Sequence, residues 1–295
     1  STGAALASEK INRRLSAVNS ETDPRAVAMI EKFGPAVAEF AEFEPHWNAT
    51  LFKQGTELEA IARGNLEMSI TSAQELGEFF PEFTIFSAGY VHQSPEHQVA
   101  VFNDALMDPF KQKVEDELGI KLLAVTYLGR RHVNLKGDKE IKTPADLEGV
   151  KLRMPGSDSW QFLGKALGAT PVPVAFTELY TALQTGAVDG QDNPLPLVAD
   201  KKFYEVTDQI ALTSHLVDLN YLAISKTVFD AMTPEQQAAV QQGATDAAAR
   251  NTEIQLQKEA ELVSFLTEQG LKIYEPDVAA FRTKVQADYL ASDYA

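Results

Sequence analysis

The chain contains 295 residues with a net charge of −16, and 44% of them are hydrophobic and 23% charged, which is typical of one large globular domain or of two lobes. The negative charge makes nucleic acid and anionic lipid unfavourable partners. Cysteine is absent, which excludes thiol catalysis, disulfide bonds and thiolate metal sites and is compatible with an oxidising compartment.

Membrane and export signals are also missing from the sequence. No apolar run approaches the ~18–20 residues of a membrane-spanning helix. The first residues lack the basic and apolar segments of a signal peptide. We expect no direct membrane insertion, and the sequence leaves open a cytoplasmic protein or one whose leader has been removed.

Helix signals begin early in the chain. Asp23-Pro24 is typical of an N-cap followed by a first helical residue, and an apolar pattern continues to Phe40. Thr56–Glu59 predicts a capping box before a short helix that ends near Gly64.

Two later signals predict helices of very different length. Thr143-Pro144 predicts a single helical turn. Thr233–Gln236 predicts a capping box that opens a helix of about 35 residues ending at Gly270. A helix of this length could span two lobes.

Predicted strands alternate with these helices. They are Leu15–Asn19, Glu67–Thr71, Lys121–Tyr127, Lys151–Met154, Val172–Val174, Tyr221–Ser225 and Lys272–Tyr274. This alternation predicts an α/β fold built from βαβ units. Because no flexible Gly/Ser linker occurs, we expect two lobes joined by ordered crossings near Val125 and Thr213, each lobe with its own mainly parallel sheet.

The sequence contains no recognisable catalytic constellation. His92 and His97 are five residues apart, which does not place two ligands on one helical face, and HExxH, GxSxG, P-loop and GxGxxG motifs are absent. The acidic stretch Asp189–Asn193 lacks the ligand spacing of a calcium loop. We expect no catalytic residue, no metal and no cofactor.

Arg153 is an unusual residue for its position. It stands near the end of the predicted strand Lys151–Met154, just before Pro155-Gly156. A buried arginine requires an anionic partner. The residues alone leave two alternatives, an anionic ligand or a structural bridge to Asp189 or Asp192.

The segment "GVKLRMPGSDSWQFLGKALGATPVPVAFTELYTALQTGAVDGQDNPLP" resembles the substrate-binding proteins of TRAP transporters, the DctP type. That family's pattern reads G-x-K-x-R-x-P and later F-x-E-x-Y-x-A-L-Q-T-G-x-V-D-G-Q-x-N-P, and nearly every element is present. "GTELEAIARGNLEMSI" and "KFYEVTDQIALTSHLVD" extend the resemblance over essentially the whole chain.

The resemblance implies a two-lobed α/β fold of the periplasmic binding protein type, class II-like. Crossing strands and the long helix would join the lobes. We expect residues 1–124 plus 213–248 in lobe I and residues 125–212 plus 249–295 in lobe II.

The function implied is capture of a small organic acid anion, of hydroxy or sugar type, and its delivery to the membrane permease of a TRAP transporter. A periplasmic monomer with its signal peptide removed is expected. An organosulfonate is an alternative ligand. A lyase or hydrolase using Asp189 or Asp192 as general base beside Arg153 is the alternative of another class, but the second group of an acid–base pair is not evident.

Four second-lobe residues receive roles from the resemblance. Arg153 would form a bidentate pair with the ligand carboxylate, and Asn193 would hydrogen-bond the same group. Arg131, the second arginine of Gly129-Arg130-Arg131, would add a contact. Phe176 would line the pocket, although a core position is the alternative.

The first lobe sets specificity in this family, and there the match is loose. Residues that follow predicted strands should open on the cleft, since strand ends carry binding sites in α/β folds. The candidates at such positions are Asn19, Glu21, Ser72 and Gln74. Further candidates are His46 and Trp47, and Asp218 and Asn220 after the segment Thr213-Ser214-His215. Glu21, His46 and Trp47 could instead face solvent. Ser72 stands where some relatives that bind amino sugar acids have an acidic residue, which argues against such a ligand here.

Overall fold

The computed structural model describes residues 10–92 and 94–294, which form an α/β fold around a nine-stranded sheet. The strands are β1 (Ile11–Ser16), β2 (Ala41–His46), β3 (Met68–Thr71), β4 (Ile120–Leu135), β5 (Lys151–Met154), β6 (Thr170–Pro173), β7 (Gly190–Asn193), β8 (Gln209–Ser225) and β9 (Lys272–Tyr274).

The α-helices surround this sheet. They are α1 (Pro24–Ala28), α2 (Gly34–Val37), α3 (Glu57–Ala62), α4 (Ala73–Phe79), α5 (Pro95–Asn103), α6 (Asp108–Leu118), α7 (Asp158–Ala166), α8 (Leu179–Thr185), α9 (Leu195–Asp200), α10 (Lys226–Asp230), α11 (Pro234–Glu268) and α12 (Val278–Leu290). A π-helical segment (Met29–Phe33) joins α1 to α2, and 3-10 helices cover Pro81–Ser87, Ala105–Met107, Pro144–Leu147, Phe176–Glu178 and Phe203–Glu205.

The strand order shows two lobes that share their central strands. It runs β2-β1-β3-β8-β4-β7-β5-β6, with β9 also paired to β8. The outer strands β2, β1 and β3 are parallel to one another, as are β6, β5 and β7. The central strands β4 and β8 are antiparallel and run through both halves.

The prediction of a separate sheet in each lobe is wrong. β4 and β8 pair from Ile120 opposite Ser225 to Leu135 opposite Gln209, so one hydrogen-bonded sheet passes through both lobes. Three register shifts interrupt this pairing, and such irregularities twist and bend a sheet locally. The bends let one sheet serve two lobes.

Two strands were not predicted, and the central two are much longer than expected. β7 consists of Gly-Gln-Asp-Asn, all buried, so no apolar alternation marks it. Its Gln191 is held by a hydrogen bond from Nε2 to Asn134 Oδ1 at 2.8 Å. β2 carries alternating glutamates and Pro45, which is a weak strand signal.

Most of the helix signals are confirmed. Asp23 accepts a hydrogen bond from the Arg25 amide at the start of α1, and the Thr233 capping box opens the 35-residue helix α11. The capping box at Thr56 is wrong: its Oγ1 donates to Lys53 O at 2.6 Å and makes no cap hydrogen bond to α3.

The long helix α11 packs against both lobes. Its Ala244 lies in a buried cluster with Leu15 of the first lobe. Its Leu266 lies in a different cluster with Phe203 of the second lobe. Among the described residues, no helix combines the length and hydrophobicity needed to cross a bilayer.

Candidate ligand-binding site

A cavity of about 550 Å³ opens where strand ends of the two lobes meet. Its wall includes residues from α1, the end of β3 and α4 on the first-lobe side, from β5, β7 and the segments that follow β5 and β6 on the second-lobe side, and from the shared strands β4 and β8. Seven of the predicted site residues line it: Ser72, Arg131, Arg153, Phe176, Asn193, Asp218 and Asn220.

Arg153 is the cation of this wall that lacks an ion pair. It is 1% exposed, and its Nε donates to the carbonyl oxygen of Val174 at 2.7 Å. Nη2 is buried and has no hydrogen-bond partner among the described residues. Burial, and then the neighbouring Arg131, lowers the pKa of Arg153 to about 9, against the opposite effect of Asp192. A negative charge brought to this guanidinium would offset the cost of its desolvation and raise its pKa.

The structural bridge considered for Arg153 is instead formed by Arg131. Nη1 of Arg131 lies 3.0 Å from Asp192 Oδ1, and its Nε lies 2.6 Å from Asp218 Oδ2. The guanidinium also sits over the Trp160 ring, 4.1 Å from its centroid. Burial alone would lower the pKa of Arg131, but the two aspartates raise it above its ordinary value.

Asn193 ends a buried ladder of amides that crosses β4 and β7. Its Nδ2 donates to Gln191 Oε1 at 2.7 Å, and Gln191 in turn donates to Asn134. The ladder holds the Asn193 side chain in one orientation at the cavity wall. Its second N–H remains available to a ligand, because an amide nitrogen carries two donors.

Phe176 serves both of the roles considered for it. It lines the cavity, with the Arg153 guanidinium 5.8 Å from its ring centroid. It also packs edge-on against Phe203 in a second-lobe core cluster. The ring therefore belongs to both the core and the wall.

Ser72 and Asn220 line the first-lobe side. Ser72 Oγ caps α4 by accepting from the Glu75 amide at 3.0 Å. Asn220 Oδ1 accepts from Arg25 Nη1 at 2.8 Å. Asp218, also considered from the sequence, lines the cavity as the partner of Arg131.

Five predicted site residues do not line the cavity, and one of them is His46, which ends β2. Asn19 is buried and donates to the carbonyl of the next residue. Gln74 is buried in α4 without a hydrogen-bond partner among the described residues. Trp47 packs in a first-lobe core cluster, and Glu21 is exposed. A position after a strand was not enough to predict that a residue lines the cavity, because the backbone that follows the strand decides where each side chain points.

The sequence reasoning missed several residues of the wall. They are Arg25, Gln54, Glu75, Glu78 and Asp158. Arg25 follows the N-cap Asp23, which holds it by Nε and Nη2 at 2.9 Å each. The only available signal was position at the start of a helix, which by itself does not indicate a ligand site.

Polar contacts join the first-lobe and second-lobe walls around the cavity. They are the Phe176 amide to Gln54 Oε1 at 2.9 Å, the Asp158 amide to Glu78 Oε1 at 3.0 Å, Ser20 Oγ to Asp200 Oδ2 at 2.5 Å, and Lys201 Nζ to Asn48 Oδ1 at 2.9 Å. The described structure therefore has its lobes in contact on both sides of the cleft.

Asp192 does not fit the general base of the enzyme alternative. It is fully buried, and its carboxylate pairs with Arg131 and with His215 Nε2 at 2.8 Å. Burial alone would raise the pKa of Asp192, but Arg131 and His215 hold it below its ordinary value. A carboxylate so stabilised in its charged form is a poor proton acceptor.

Comparison with known proteins identifies the kind of protein to which this cavity belongs. The family described as bacterial extracellular solute-binding protein, family 7 (DctP), matches residues 15–293. The chain belongs to this family. The resemblance stated from the central motif is confirmed, and so are the α/β class and the assignment as a binding protein and not an enzyme.

Solved structures share the fold of this family 7 protein over nearly its whole length. A TRAP periplasmic solute-binding protein from Roseobacter denitrificans, with bound 3-deoxy-D-manno-oct-2-ulosonic acid (KDO), is 67% identical, covers 97% of this chain and 95% of its own, and has a TM-score of 0.96. A second from that organism, with bound L-galactonate, is 28% identical over 96% of this chain and 95% of its own, with a TM-score of 0.90.

A curated relative is similarly distant in sequence. The sialic acid-binding periplasmic protein of Vibrio cholerae is 29% identical over 80% of this chain and 73% of its own length.

Proposed function

We propose that this family 7 protein binds an ulosonic acid of the KDO class in the periplasm and delivers it to the membrane permease of a TRAP transporter. The observation that carries the proposal is the buried, unpaired Arg153 in the wall of a closed cavity. The 67% identity to a protein that holds KDO supports the ligand class.

The cavity matches the chemistry of such a ligand. A carboxylate can take two parallel hydrogen bonds from the free edge of the Arg153 guanidinium and a third from Asn193. Arg131 contributes a fixed positive charge nearby, although two aspartates share it. We therefore place the acid group of the ligand at Arg153.

A thermal-shift screen followed by calorimetry tests the ligand. The panel contains KDO, L-galactonate, sialic acid and an organosulfonate such as isethionate. A ligand present at about 100 times its Kd raises the free energy of unfolding by about 2.7 kcal/mol. We expect KDO to give the largest shift, and a larger shift with the sulfonate would overturn the proposed ligand class.

Two further measurements address the role and the assembly. The bound acid should be recovered chemically unchanged after the protein is denatured, whereas depletion of the acid would indicate an enzyme.

Light scattering should give the mass of a monomer, as expected for a protein that presents one solute to one permease.

A further inference from the structure

The arginines of the cavity wall differ in how far they are already neutralised. Arg131 pairs with Asp192 and Asp218, and Arg25 is held by both oxygens of Asp23. Only Arg153, among the described lining residues of this charge, makes no ion pair. The cavity therefore presents one positive charge that still requires a counter-ion.

The same wall carries three carboxylates on α4 and at the start of α7. Glu75, Glu78 and Asp158 all line the cavity, and none of them forms an ion pair with a described cation. Glu75 Oε2 accepts from Thr71 Oγ1 at 2.7 Å, and Glu78 Oε1 accepts from the Asp158 amide. These contacts use one oxygen of each glutamate, so acceptor capacity remains.

Such carboxylates are suited to hydroxyl groups and unsuited to anions. An ionised carboxylate accepts hydrogen bonds from hydroxyl donors with good geometry. Glu78 and Asp158 are exposed at the rim of the cavity, and a second anionic group placed against them would meet like charges, which is a repulsive element that confers specificity. Burial raises the pKa of Glu75, and a protonated Glu75 would still bind a hydroxyl.

We infer that Glu78 and Asp158 restrict the ligand to a monoanion: together with Glu75 they receive its neutral hydroxylated part, and their negative charges reject a second anionic group such as a phosphate or a distal carboxylate. This inference rests on the proposed function, since it assumes that the acid group lies at Arg153. It adds a rule on ligand charge, namely that a monoanion binds and a dianion of similar shape does not, which we call the charge rule. The identity of the ligand alone does not supply this rule.

Two matched ligand pairs test the rule by calorimetry. One pair is KDO and its 8-phosphate ester, and the other is L-galactonate and galactarate, which carries a second carboxylate on the same six-carbon skeleton. We expect each dianion to bind the parent protein at least about tenfold more weakly than its monoanion. The preference should weaken between 0.15 M and 0.5 M salt, because Glu78 and Asp158 are exposed and salt screens exposed charges.

Variants assign the effect to particular side chains. Glu78→Gln and Asp158→Asn keep the side-chain size and remove one negative charge each, and each should reduce the monoanion preference by about threefold, because both charges are exposed. Glu117→Gln is the matched control, because Glu117 is exposed on α6, makes no ion pair and does not line the cavity. It should leave the ratio unchanged.

The outcomes separate this inference from the proposed ligand. If L-galactonate binds and KDO does not, the ligand class is wrong, while the charge rule is decided by the six-carbon pair. A dianion that binds within a few-fold of its monoanion overturns the rule. An unchanged ratio in both variants, or a change equal to that of the control, overturns the assignment to these residues. If no member of either pair binds, both proposals fail.

Discussion

The guanidinium of Arg153 is buried without a carboxylate, although Asp189 and Asp192 both lie on or beside the adjacent strand β7. Asp192 is already occupied by Arg131 and His215, and Asp189 accepts from the Lys151 amide. The neighbouring aspartates therefore do not pair with Arg153, and its positive charge can pair with a ligand in the cavity.

Replacing Arg153 tests this role directly. Arg153→Ala should weaken binding of the cognate acid by about 3–5 kcal/mol, because the acid group would be desolvated without its partner. Arg153→Lys should not restore affinity, since one ammonium cannot make two parallel hydrogen bonds. Calorimetry measures both, with Arg63→Ala as control because the Arg63 side chain is 70% exposed. Binding within a few-fold of the parent by a folded Arg153→Ala protein would contradict the clamp.

His132 is a buried histidine whose titration should destabilise the fold in mild acid. Its Nδ1 accepts from the Ser214 amide at 3.1 Å. Burial, and then His215 and Arg130, lowers the pKa of His132 to about 3 from 6.5, against the opposite effect of Asp192. The unfolded chain therefore binds the proton first as pH falls. Stability present above pH 6.5 is lost progressively towards pH 3.

A neutral replacement isolates this contribution. His132→Asn keeps an acceptor near Nδ1 and cannot titrate. Between pH 7 and pH 5 the parent should lose about 2 kcal/mol more free energy of unfolding than the variant. Glu57, whose pKa burial raises to about 9, titrates in the opposite direction in both proteins and cancels in the difference. Equal pH dependence in urea unfolding would mean that the folded protein accepts the proton on His132.

At the scale of elements, the site depends on how β4 is bent where it passes between the lobes. Gly129 has φ +115°, and a register shift separates it from Tyr127. A Cβ added at Gly129 would lie 2.6 Å from Pro194 Cβ and from Glu259 Oε1. Glu259 of α11 also accepts from the Tyr127 hydroxyl at 2.7 Å, which ties α11 to the bent part of β4. Arg131 lies two residues after Gly129 on the same strand.

Gly129→Ala should therefore lower the free energy of unfolding by more than backbone strain alone would. A residue with a side chain at positive φ loses about 1–3 kcal/mol. Gly137→Ala is the matched control, since Gly137 has φ +81° and open space around its Cα. We expect Gly129→Ala to lose more stability than this control in denaturant unfolding and to weaken ligand binding as well. Equal losses for the two variants would show that close packing at Gly129 does not position Arg131.

At the scale of the molecule, two lobes share β4, β8 and α11. β8 pairs with β3 of the first lobe over Tyr221–Ile224 and with β9 of the second lobe over Gln209–Ala211. We propose that residues 1–124 and 213–248 form one lobe and residues 125–212 and 249–295 the other; residues 1–9 lie outside the described part of the chain. The shared strands make a hinge closure the expected motion.

Asp200 provides a test of closure away from the ligand. It accepts hydrogen bonds from Ser20 and Thr22 across the cleft and does not line the cavity. Asp200→Ala should favour the open form and weaken ligand binding by about 1 kcal/mol, roughly fivefold, because exposed polar contacts are worth little. Asp246→Ala on the exposed face of α11 is the control.

Small-angle scattering supplies the independent readout. The radius of gyration of the parent should fall when ligand is added. The unliganded Asp200→Ala protein should have a larger radius of gyration than the unliganded parent. An unchanged radius in both comparisons would argue against closure as the consequence of binding.

Local sequence patterns were sufficient for elements that carry their own signals. β5 and β9 have the predicted bounds, and α11 begins at the predicted capping box because Thr233 and Gln236 satisfy the first free amides of the helix. Arg153 and Asn193 were found through a motif that spans β5 to β7, and Arg131 through the G-x-R segment upstream of it; all three line the cavity.

Long-range contacts decided the rest. Whether Arg153 or Arg131 remains unpaired depends on Asp192 and Asp218, which reach Arg131 from two different strands through a register that no local pattern encodes. The merging of the two expected sheets into one likewise depends on pairing between residues about a hundred positions apart in β4 and β8. In the sequence, Glu75 and Asp158 look like ordinary helix-start acids and Glu78 like an exposed acid near a helix end. Only the docking of α4 against α7 brings them to one cavity, because side-chain direction is determined by packing and not by residue type.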